Sequence, residues 1–557
     1  MQPHPLKATP ASLRAWQLRA LAEMAEWEVG SFLLSAAPGS GKTRPALELA
    51  RRELASGTVS AIVVACPTAP LTRQWARAAD ELGIDLAPDA DSPRPPTGFH
   101  GVAVTYARIA KSPARWRALG SRRTLVIADE AHHLGEELAW GAGFARAFGA
   151  SPRWLLLSGT PFRSDATPIP GVRYDAQAMA EPDVSYTYAD AVLDGVCRSV
   201  RFVAYDGDLS WRSGEDVIES SFETVLPRRE TSRRYRTAIS TELPDGLPRI
   251  LREADARLRA VRRDGHADAG GLVIAADSSH ARRIALLLRE ATGRVPLVVL
   301  HAEPRAGAKL AAFTHARDPW IVAVNMVSEG VDIPRLRVGV YATAAKTPLV
   351  FRQIVGRFVR TIPGRPVEPS WLYIPADPLL RDHAASVQQE LRRALRARDG
   401  DGEDGDGGLE RFERRQTERG EALAFVPLSA DVAPQLSLFG PPPDARSPSA
   451  GTSGARSSSS YSPVEPAAAS DRGQPSGGET AILERRAHEA PAFERRAMLR
   501  SERHRLVCEV TRRGDTSHRE INEWLNRKLR IASVEQATLE ELERSVELLV
   551  GKLTAKR

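Results

Sequence analysis

The first part of the chain alternates short apolar runs with amphipathic segments. The apolar runs are SFLLSA, AIVVACP, GVAVTY, TLVIADE and WLLLSGT. Their continuous apolar character is typical of strands that are buried on both faces. The segments between them, such as TRPALELARREL and LTRQWARAADEL, have the spacing of helices with one apolar face. This alternation predicts a parallel sheet with crossover helices.

A second set of apolar runs follows further along the chain: RSVRFVAY, GGLVIAAD, VPLVVL, WIVAVN, VGVYAT and WLYIPAD. We therefore predict two α/β lobes, residues 1–195 and 196–398, divided near Gly195. A charged stretch at about 210–270 has a mostly helical pattern. We expect it to be a helical insertion at the start of the second lobe.

The composition changes after Arg398. Residues 399–478 are rich in Gly, Pro and Ser and carry few apolar side chains, which predicts a disordered linker. The QLSLFG segment (Gln435 to Gly440) is a short apolar island within it. Residues 479–557 again have helical periodicity, and Ser517 precedes Glu520 at capping-box spacing. We expect a small helical module there, with a protein partner as its candidate ligand.

Charge and cysteine content narrow the class of protein. The net charge of +7 suits a polyanionic partner, although an arginine-rich composition bias would produce the same excess. The three cysteines lie far apart and form no CxxC pair, so neither a zinc ribbon nor a disulfide framework is expected. The N-terminal residues have no apolar core of a secretory signal, and no apolar run is long enough to span a bilayer. We expect a cytoplasmic protein without membrane association.

The most specific local motif follows the SFLLSA run. A phosphate-binding loop needs glycines, so that its main-chain N–H groups can surround a phosphate, and a lysine for the outer phosphates. The candidate nucleotide-binding residues are Pro38, Gly39, Ser40, Gly41, Lys42 and Thr43. Thr43 would offer its hydroxyl to Mg²⁺, and the following helix would direct its positive end at the anion. A chance glycine-rich turn is the alternative, and the strand before and helix after the loop argue against it.

An acidic pair ends the TLVIADE run. Asp129 at the carboxyl end of a strand would face the phosphate loop and hold the water shell of the metal. Glu130 would act as general base on the attacking water. A plain acidic cap of the next helix is the alternative. His132 and His133 have no third ligand nearby in sequence, which argues against a metal site of their own.

Together these motifs resemble those of the superfamily 2 helicases and translocases of the DEAH-box type. The resemblance covers roughly residues 10–380 and implies two tandem RecA-like parallel-sheet lobes that use ATP and Mg²⁺. It further implies that Gln17 in LRAWQ reads the adenine edge. The CPTAPLTRQW and VTYARI segments resemble motifs that contact nucleic acid. Their candidate contact residues are Pro67, Thr68, Thr105 and Tyr106.

Three further motifs extend the resemblance, the first in the first lobe and the other two in the second. Residues 158–161 (SGTP) resemble motif III, which links hydrolysis to the nucleic-acid grip. NMVSEGVDIP resembles motif V, with Gly330 and Asp332 as candidate nucleotide contacts. QIVGRFVR resembles motif VI, with Gln353, Arg357 and Arg360 as candidate catalytic residues.

The two arginines of motif VI have a physical rationale. Residues three apart share one face of a helix, so we expect Arg357 and Arg360 to point together at the γ-phosphate. A solvated basic helix is the alternative. Trp16, Trp75 and Trp524 are expected in the core, rather than as stacking platforms for bases.

The resemblance implies an ATP-dependent nucleic-acid helicase or translocase. The wording of motifs V and VI is most similar to that of restriction motors and XPB-like translocases, which favours DNA over RNA. Alternatives are an RNA helicase, a switch ATPase that acts on protein partners, an inactive nucleotide-binding scaffold and a motor fused to a nuclease. Intact Lys42, Glu130, Arg357 and Arg360 argue against the scaffold, and no convincing nuclease motif is found.

Overall fold

A computed structural model describes most of the chain. The described residues are 13–120, 123–151, 153–159, 168–176, 179–213, 215–300, 303, 306–324, 333–399, 426–434, 490–513 and 516–554. Gly330 and Asp332, the second half of motif III and the QLSLFG segment lie outside them. The described residues before position 435 belong to one compact unit, and the helices after position 490 belong to a second.

The first lobe is built on a seven-stranded sheet in which every pairing is parallel. Its strands are β1 (Gly30–Ala36), β2 (Ala61–Cys66), β3 (Leu86–Ala87), β4 (Gly101–Thr105), β5 (Thr124–Asp129), β6 (Arg153–Ser158) and β7 (Val184–Tyr186). Their order in the sheet is β3-β4-β2-β5-β6-β1-β7. All five predicted strands of this lobe are present, and each contains residues that are buried on both faces.

Helices cover the first sheet. They are α1 (Ala15–Glu26), α2 (Thr43–Ser56), α3 (Ala69–Asp80), α4 (Tyr106–Lys111), α5 (Pro113–Trp116), α6 (His133–Glu136), α7 (Leu138–Phe148) and α8 (Tyr188–Leu193), with a 3₁₀ turn at Arg117–Leu119. Aromatic side chains of α7 fill the core on one face of the sheet, where Phe144 and Phe148 pack against the strands. Gly143 lets α7 approach α4, because a Cβ there would lie 2.6 Å from the Ala110 Cα.

The second lobe is built on a mostly parallel sheet. Its strands are β8 (Val200–Ser213), β9 (Asp216–Ser220), β10 (Gly270–Ala275), β11 (Leu297–Val299), β12 (Trp320–Val324), β13 (Leu336–Ala342), β14 (Ser370–Pro375) and β15 (Val426–Pro434). The order is β11-β12-β10-β13-β14-β8-β15, and β9 pairs with β8. The helices are α9 (Arg228–Ala238), α10 (Leu247–Arg263), α11 (Ser278–Thr292), α12 (Ala306–His315), α13 (Pro348–Phe358) and α14 (Pro378–Asp399). Two parallel-sheet lobes in tandem confirm the predicted fold class.

The predicted insertion differs from the structure at its start. Strand β8 continues to Ser213 and turns into an antiparallel hairpin with β9, so residues 210–220 are largely strand. The reason is burial, because Leu209 and Trp211 are inaccessible to solvent in this hairpin. Helices α9 and α10 then supply the helical part of the stretch.

The predicted linker also differs from the structure. Strand β15 lies inside residues 399–478 and pairs antiparallel with β8 at the edge of the second sheet. Ala430 and Val432 alternate into the core, which stabilises nine residues that local composition assigns to a linker. Gly207 permits the close approach of the two strands, because a Cβ there would collide with the Asp431 carbonyl. The disorder prediction was wrong for these nine residues.

The second unit contains three helices among its described residues: α15 (Ala492–Arg512), α16 (His518–Leu529) and α17 (Leu539–Thr554). Leu506, Ile521, Leu525 and Leu549 form its small core. The predicted capping box begins α16, where Ser517 accepts from the Glu520 main-chain N–H. Among the described residues of the whole chain, no helix is long and apolar enough to cross a membrane.

Candidate functional site

The sequence motifs of the first lobe meet at one edge of its sheet. Strands β4, β2, β5, β6 and β1 are neighbours in that order and run parallel, so their carboxyl ends lie side by side. The phosphate loop follows β1, Ser158 ends β6 and Asp129 ends β5. Of the candidate nucleic-acid residues, Pro67 and Thr68 follow β2, whereas Thr105 ends β4 and Tyr106 follows it, at the far end of the same edge.

The phosphate loop has the conformation that its glycines predict. Gly39 and Gly41 have φ angles of 84° and 92°, which residues with a Cβ rarely adopt. Helix α2 begins directly after the loop at Thr43. The Ser40 hydroxyl is buried and has no hydrogen-bond partner among the described residues. A phosphate oxygen would satisfy this hydroxyl, so the loop fits a nucleotide.

Lys42 lies between the two carboxylates of the acidic pair. Its Nζ contacts Glu130 Oε1 and lies 3.4 Å from Asp129 Oδ1. Burial lowers the pKa of Lys42, but Glu130 and Asp129 more than offset this and hold the pKa above its usual value. Lys42 is therefore a cation, and the phosphates of a nucleotide would compete with the carboxylates for it.

The two carboxylates have different environments. Burial by itself would raise the pKa of Glu130, but Lys42 and then His132 outweigh it and lower the pKa to about 2. Burial raises the pKa of Asp129, and Lys42 opposes this only in part. Glu130 is thus ionised at neutral pH, as a general base must be.

The backbone at Glu130 is strained. Its φ angle is 50°, in the left-handed region where a residue with a Cβ costs on the order of 1–3 kcal/mol. The Ala131 main-chain N–H bonds to the Leu157 carbonyl at 2.9 Å and fixes the turn from β6. Such strain persists when the surrounding structure imposes it, and here it directs Glu130 towards the phosphate loop.

His132 connects the two lobes. Its Nδ1 lies 3.0 Å from Ser158 Oγ in the first lobe, and its Nε2 lies 3.4 Å from the amide nitrogen of Gln353 on α13 in the second. The side chain is buried. Among the described residues, no group of three or more His, Cys, Asp or Glu side chains could hold a metal ion. His132 therefore links the segment of the acidic pair to motifs III and VI.

Helix α13 brings motif VI against the phosphate loop. Gly356 packs on Pro38 so closely that a Cβ at Gly356 would lie 2.6 Å from the Pro38 Cβ. The Cγ of Arg360 would lie 3.3 Å from a Cβ at Gly39. Arg357 follows Gln353 by one turn of the helix. The second lobe thus contributes motif VI residues beside the phosphate loop.

The sequence predicted that Arg357 and Arg360 share one face of a helix, and the structure corrects this prediction. Helix α13 ends at Phe358, and Arg360 lies beyond it in an antiparallel bridge with Cys197. The Arg198 main-chain N–H bonds to the Val359 carbonyl at 2.6 Å. This pairing takes over the carbonyl at the end of the helix and draws the chain out of helical geometry.

Gln17 contacts the loop at Gly41 and is buried. Its amide nitrogen donates to the Gly41 carbonyl at 3.0 Å, and its Oε1 accepts from the Arg14 main-chain N–H at 2.9 Å. Arg14 also donates to the Ser40 carbonyl at 2.7 Å. Sequence reasoning missed Arg14, since nothing in its local sequence indicates a bond to the loop.

The candidate nucleic-acid residues divide into two groups. Thr68 immediately precedes α3, and Thr105 caps α4 by accepting from the Arg108 main-chain N–H. Pro67 is buried, and so is Tyr106, whose hydroxyl donates to the Asp129 carbonyl at 2.7 Å. The Tyr106 side chain cannot contact nucleic acid directly, so the role predicted for it is corrected to one of support. It was assigned by its position in the motif, and sequence does not reveal which way a side chain points.

The three tryptophans lie in or against apolar cores. Trp16 is buried and stacks on Tyr186 at a centroid distance of 4.5 Å. Trp524 packs against the core of the second unit. Trp75 is buried too, and its indole N–H donates to Asp129 Oδ2 at 2.8 Å. That bond was not predicted, because the two residues are 54 positions apart and only the folded chain joins them.

Residues 11–163 match the family model described as type III restriction enzyme, res subunit. The uncharacterized protein Rv2917 of Mycobacterium tuberculosis H37Rv is 42% identical over 441 residues, which are 77% of this chain and 72% of the relative. This chain belongs to the superfamily 2 helicase-like family. Superfamily 2 helicase-like ATPases in general use ATP with Mg²⁺. The uncharacterized protein ML1624 of Mycobacterium leprae is a further relative, 42% identical over 69% of this chain and 65% of its own length.

Solved structures of this superfamily are similar at low sequence identity. A fragment of an HsdR subunit of a type I restriction enzyme from Vibrio vulnificus YJ016 is 16% identical, with a TM-score of 0.46 over 68% of this chain and 66% of that one. The type ISP restriction-modification enzyme LlaBIII bound to DNA is 16% identical, with a TM-score of 0.44 over 70% of this chain and 30% of that one.

Proposed function

We propose that this superfamily 2 protein is an ATP-dependent nucleic-acid helicase or translocase that acts on DNA. The observation that carries the proposal is the composite site. Gly356 and Arg360 of the second lobe pack on the phosphate loop of the first, and Gln353 reaches His132. A nucleotide held there would touch both lobes, so its hydrolysis would change how they fit together.

The proposal gives each candidate residue a chemical role. Lys42, the Ser40 hydroxyl and the N–H groups of the loop would bind the phosphates, and Gln17 would lie towards the adenine. Thr43 and Asp129, through water, would hold Mg²⁺, which supplies charge neutralisation at the transferred phosphoryl group. Glu130 would take a proton from the attacking water. Arg357 and Arg360 would stabilise the charge that develops on the γ-phosphate. Gly330 and Asp332 stay candidate nucleotide contacts from motif V.

Nucleic acid would lie across the carboxyl ends of β2 and β4. Pro67 and Thr68 lead into α3, whose positive N-terminal end suits a phosphate, and the Thr68 hydroxyl lacks a partner among the described residues. Contacts of this kind grip the backbone rather than base edges, so binding would tolerate any sequence. The net charge of +7 supports a polyanion, and the restriction-enzyme family of the first lobe supports DNA. We further propose that helices α15–α17 bind a protein partner.

Two other functions make different predictions. An RNA helicase would respond to RNA alone, and a switch ATPase that acts on proteins would respond to neither polymer. The test compares ATP hydrolysis rates with single-stranded DNA, duplex DNA and RNA of equal length at one salt concentration. We expect stimulation by DNA. Stimulation by RNA alone would overturn the DNA assignment, and no stimulation by any polymer would favour the switch ATPase.

A further inference from the structure

Asp129 is held by buried hydrogen bonds from two helices. The Trp75 indole of α3 donates to its Oδ2 at 2.8 Å, and the Tyr106 hydroxyl of α4 donates to its main-chain carbonyl at 2.7 Å. All three residues are at most 3% exposed. The other carboxylate oxygen, Oδ1, faces the site, 3.4 Å from Lys42 Nζ and 3.0 Å from the Glu130 main-chain N–H. The oxygen that faces away from Lys42 is therefore fixed by Trp75.

The same two helices begin at the candidate nucleic-acid residues. Helix α3 starts after Thr68, and Tyr106 is the first residue of α4, next to Thr105. Trp75 lies on α3 about 10 Å along the axis from Thr68, at about 1.5 Å for each residue. A shift at either end of this edge of the sheet would therefore be transmitted along a short, rigid element.

Asp89 ties the two helices to each other. Thr72 of α3 donates its hydroxyl to Asp89 Oδ1 at 3.0 Å, and the Arg108 guanidinium of α4 donates to the Asp89 carbonyl. Arg73 of α3 adds an ion pair to the same carboxylate at 2.7 Å. Asp89 itself has a φ angle of 52°, in the left-handed region that residues with a Cβ rarely adopt. The two helices therefore form one connected body that reaches Asp129 at two points.

We propose that Trp75 and Tyr106 are positioning residues that couple the grip on nucleic acid to the Asp129 carboxylate, and thereby to the metal and nucleotide. This inference rests on the proposed function. If α3 and α4 shift when nucleic acid binds at their first residues, Asp129 must follow, because breaking either bond would leave buried polar groups unpaired. Coupling of this kind is reciprocal, so a nucleotide would alter the affinity for nucleic acid by the same factor.

The test measures that coupling as a ratio of affinities. The affinity for a fluorescent single-stranded DNA of one length is determined with and without Mg²⁺ and a non-hydrolysable ATP analogue. Trp75→Phe and Tyr106→Phe each remove one bond and keep an aromatic ring. The matched controls are Trp116→Phe, which alters another buried tryptophan of the first lobe, and Tyr235→Phe, which removes a buried 2.7 Å bond from a hydroxyl to a carbonyl in the second lobe.

In both positioning variants, the ratio of DNA affinities with and without nucleotide should move closer to one. For Trp75→Phe, which loses the bond to the charged carboxylate, the change should be on the order of tenfold. Their affinity for DNA without nucleotide should remain near that of the wild type, and both controls should keep the wild-type ratio. A wild-type ratio in both variants would overturn the inference and leave the proposed function standing. An equal loss in the Trp116→Phe control would also overturn it, since core packing would then be the cause. If the wild type itself bound no DNA, both proposals would fall, and if Trp75→Phe did not fold, Tyr106→Phe would decide.

Discussion

At the scale of single residues, Lys42 is at the centre of the candidate site. It neutralises the carboxylates of Asp129 and Glu130. In the proposed mechanism, however, Asp129 holds the metal through water and Glu130 activates the attacking water. An exchange of partners is therefore required when phosphates bind. The sequence predicted Lys42, Asp129 and Glu130, because each follows a strongly apolar strand. It could not predict that Trp75 supports Asp129 or that Arg14 supports the phosphate loop, since those bonds depend on the tertiary position of distant helices.

Lys42→Ala should abolish ATP binding, because the phosphate loop loses the cation that would bind the β- and γ-phosphates. Nucleotide affinity measured by titration calorimetry is the appropriate measurement. The control is Lys309→Ala, which removes the ion pair between Lys309 and Glu303 (2.6 Å). This variant should bind ATP normally. Unchanged affinity in Lys42→Ala would contradict the assignment of the loop.

Glu130→Gln should bind ATP and hydrolyse it slowly, since an amide cannot accept the proton of the water. The loss in kcat should be about 10²-fold or more. The variant should also retain DNA for longer when ATP is present. Turnover within about twofold of the wild type would mean that another residue is the base.

At the scale of elements, the sequence predicted the buried strands well and the edge strand β15 poorly. Central parallel strands are continuous apolar runs, so their pattern is evident locally. Strand β15 has only alternating apolar residues among Pro and Ser, and its stability comes from pairing with β8 more than 200 positions away. The end of α13 was likewise missed, because it depends on a bridge to Cys197.

Motif VI can be tested residue by residue. Arg357→Ala and Arg360→Ala should each lower kcat with little loss of ATP affinity. The loss in kcat should be about 10³-fold or more if these residues act as arginine fingers. Arg352→Ala on the same helix, which loses its ion pair with Glu390, should keep kcat near the wild-type value. Steady-state kinetics with a separate measurement of nucleotide affinity distinguishes these outcomes. Lost affinity with unchanged kcat would mean that the arginine binds only the ground state.

Strand β15 gives a prediction about stability. Val432→Asp places a charge at a fully buried position and should lower the free energy of unfolding by about 3 kcal/mol or more. Leu428→Asp on the same strand alters a side chain that is 37% exposed and should cost well under half as much. Denaturant titration measures both. Equal and small effects would indicate that β15 does not hold the second lobe together.

At the scale of the whole molecule, the sequence predicted two tandem α/β lobes and a separate helical module, and the topology of the two sheets agrees. The residues that join the lobes at the phosphate loop, such as Gly356 on Pro38, are visible only in the folded chain. The unit that carries the site extends to β15, so we expect a stable version of this unit to need residues 426–434.

Removing residues 490–557 should therefore leave a cooperatively folding ATPase, because helices α15–α17 have a core of their own. Removing residues 399–557 should lower the melting temperature, because β8 loses its partner strand. Calorimetric melting of the two truncated chains tests this. An equal melting temperature for both would contradict the role given to β15.

Under the proposed function, ATP hydrolysis at the composite site drives movement along DNA. The most direct measurement is displacement of streptavidin from the end of a biotinylated DNA, followed with and without ATP. We predict displacement by the wild type only with ATP, and none by Lys42→Ala or Glu130→Gln. DNA-stimulated hydrolysis by the wild type without any displacement would contradict the claim, since the protein would then switch on DNA without moving along it.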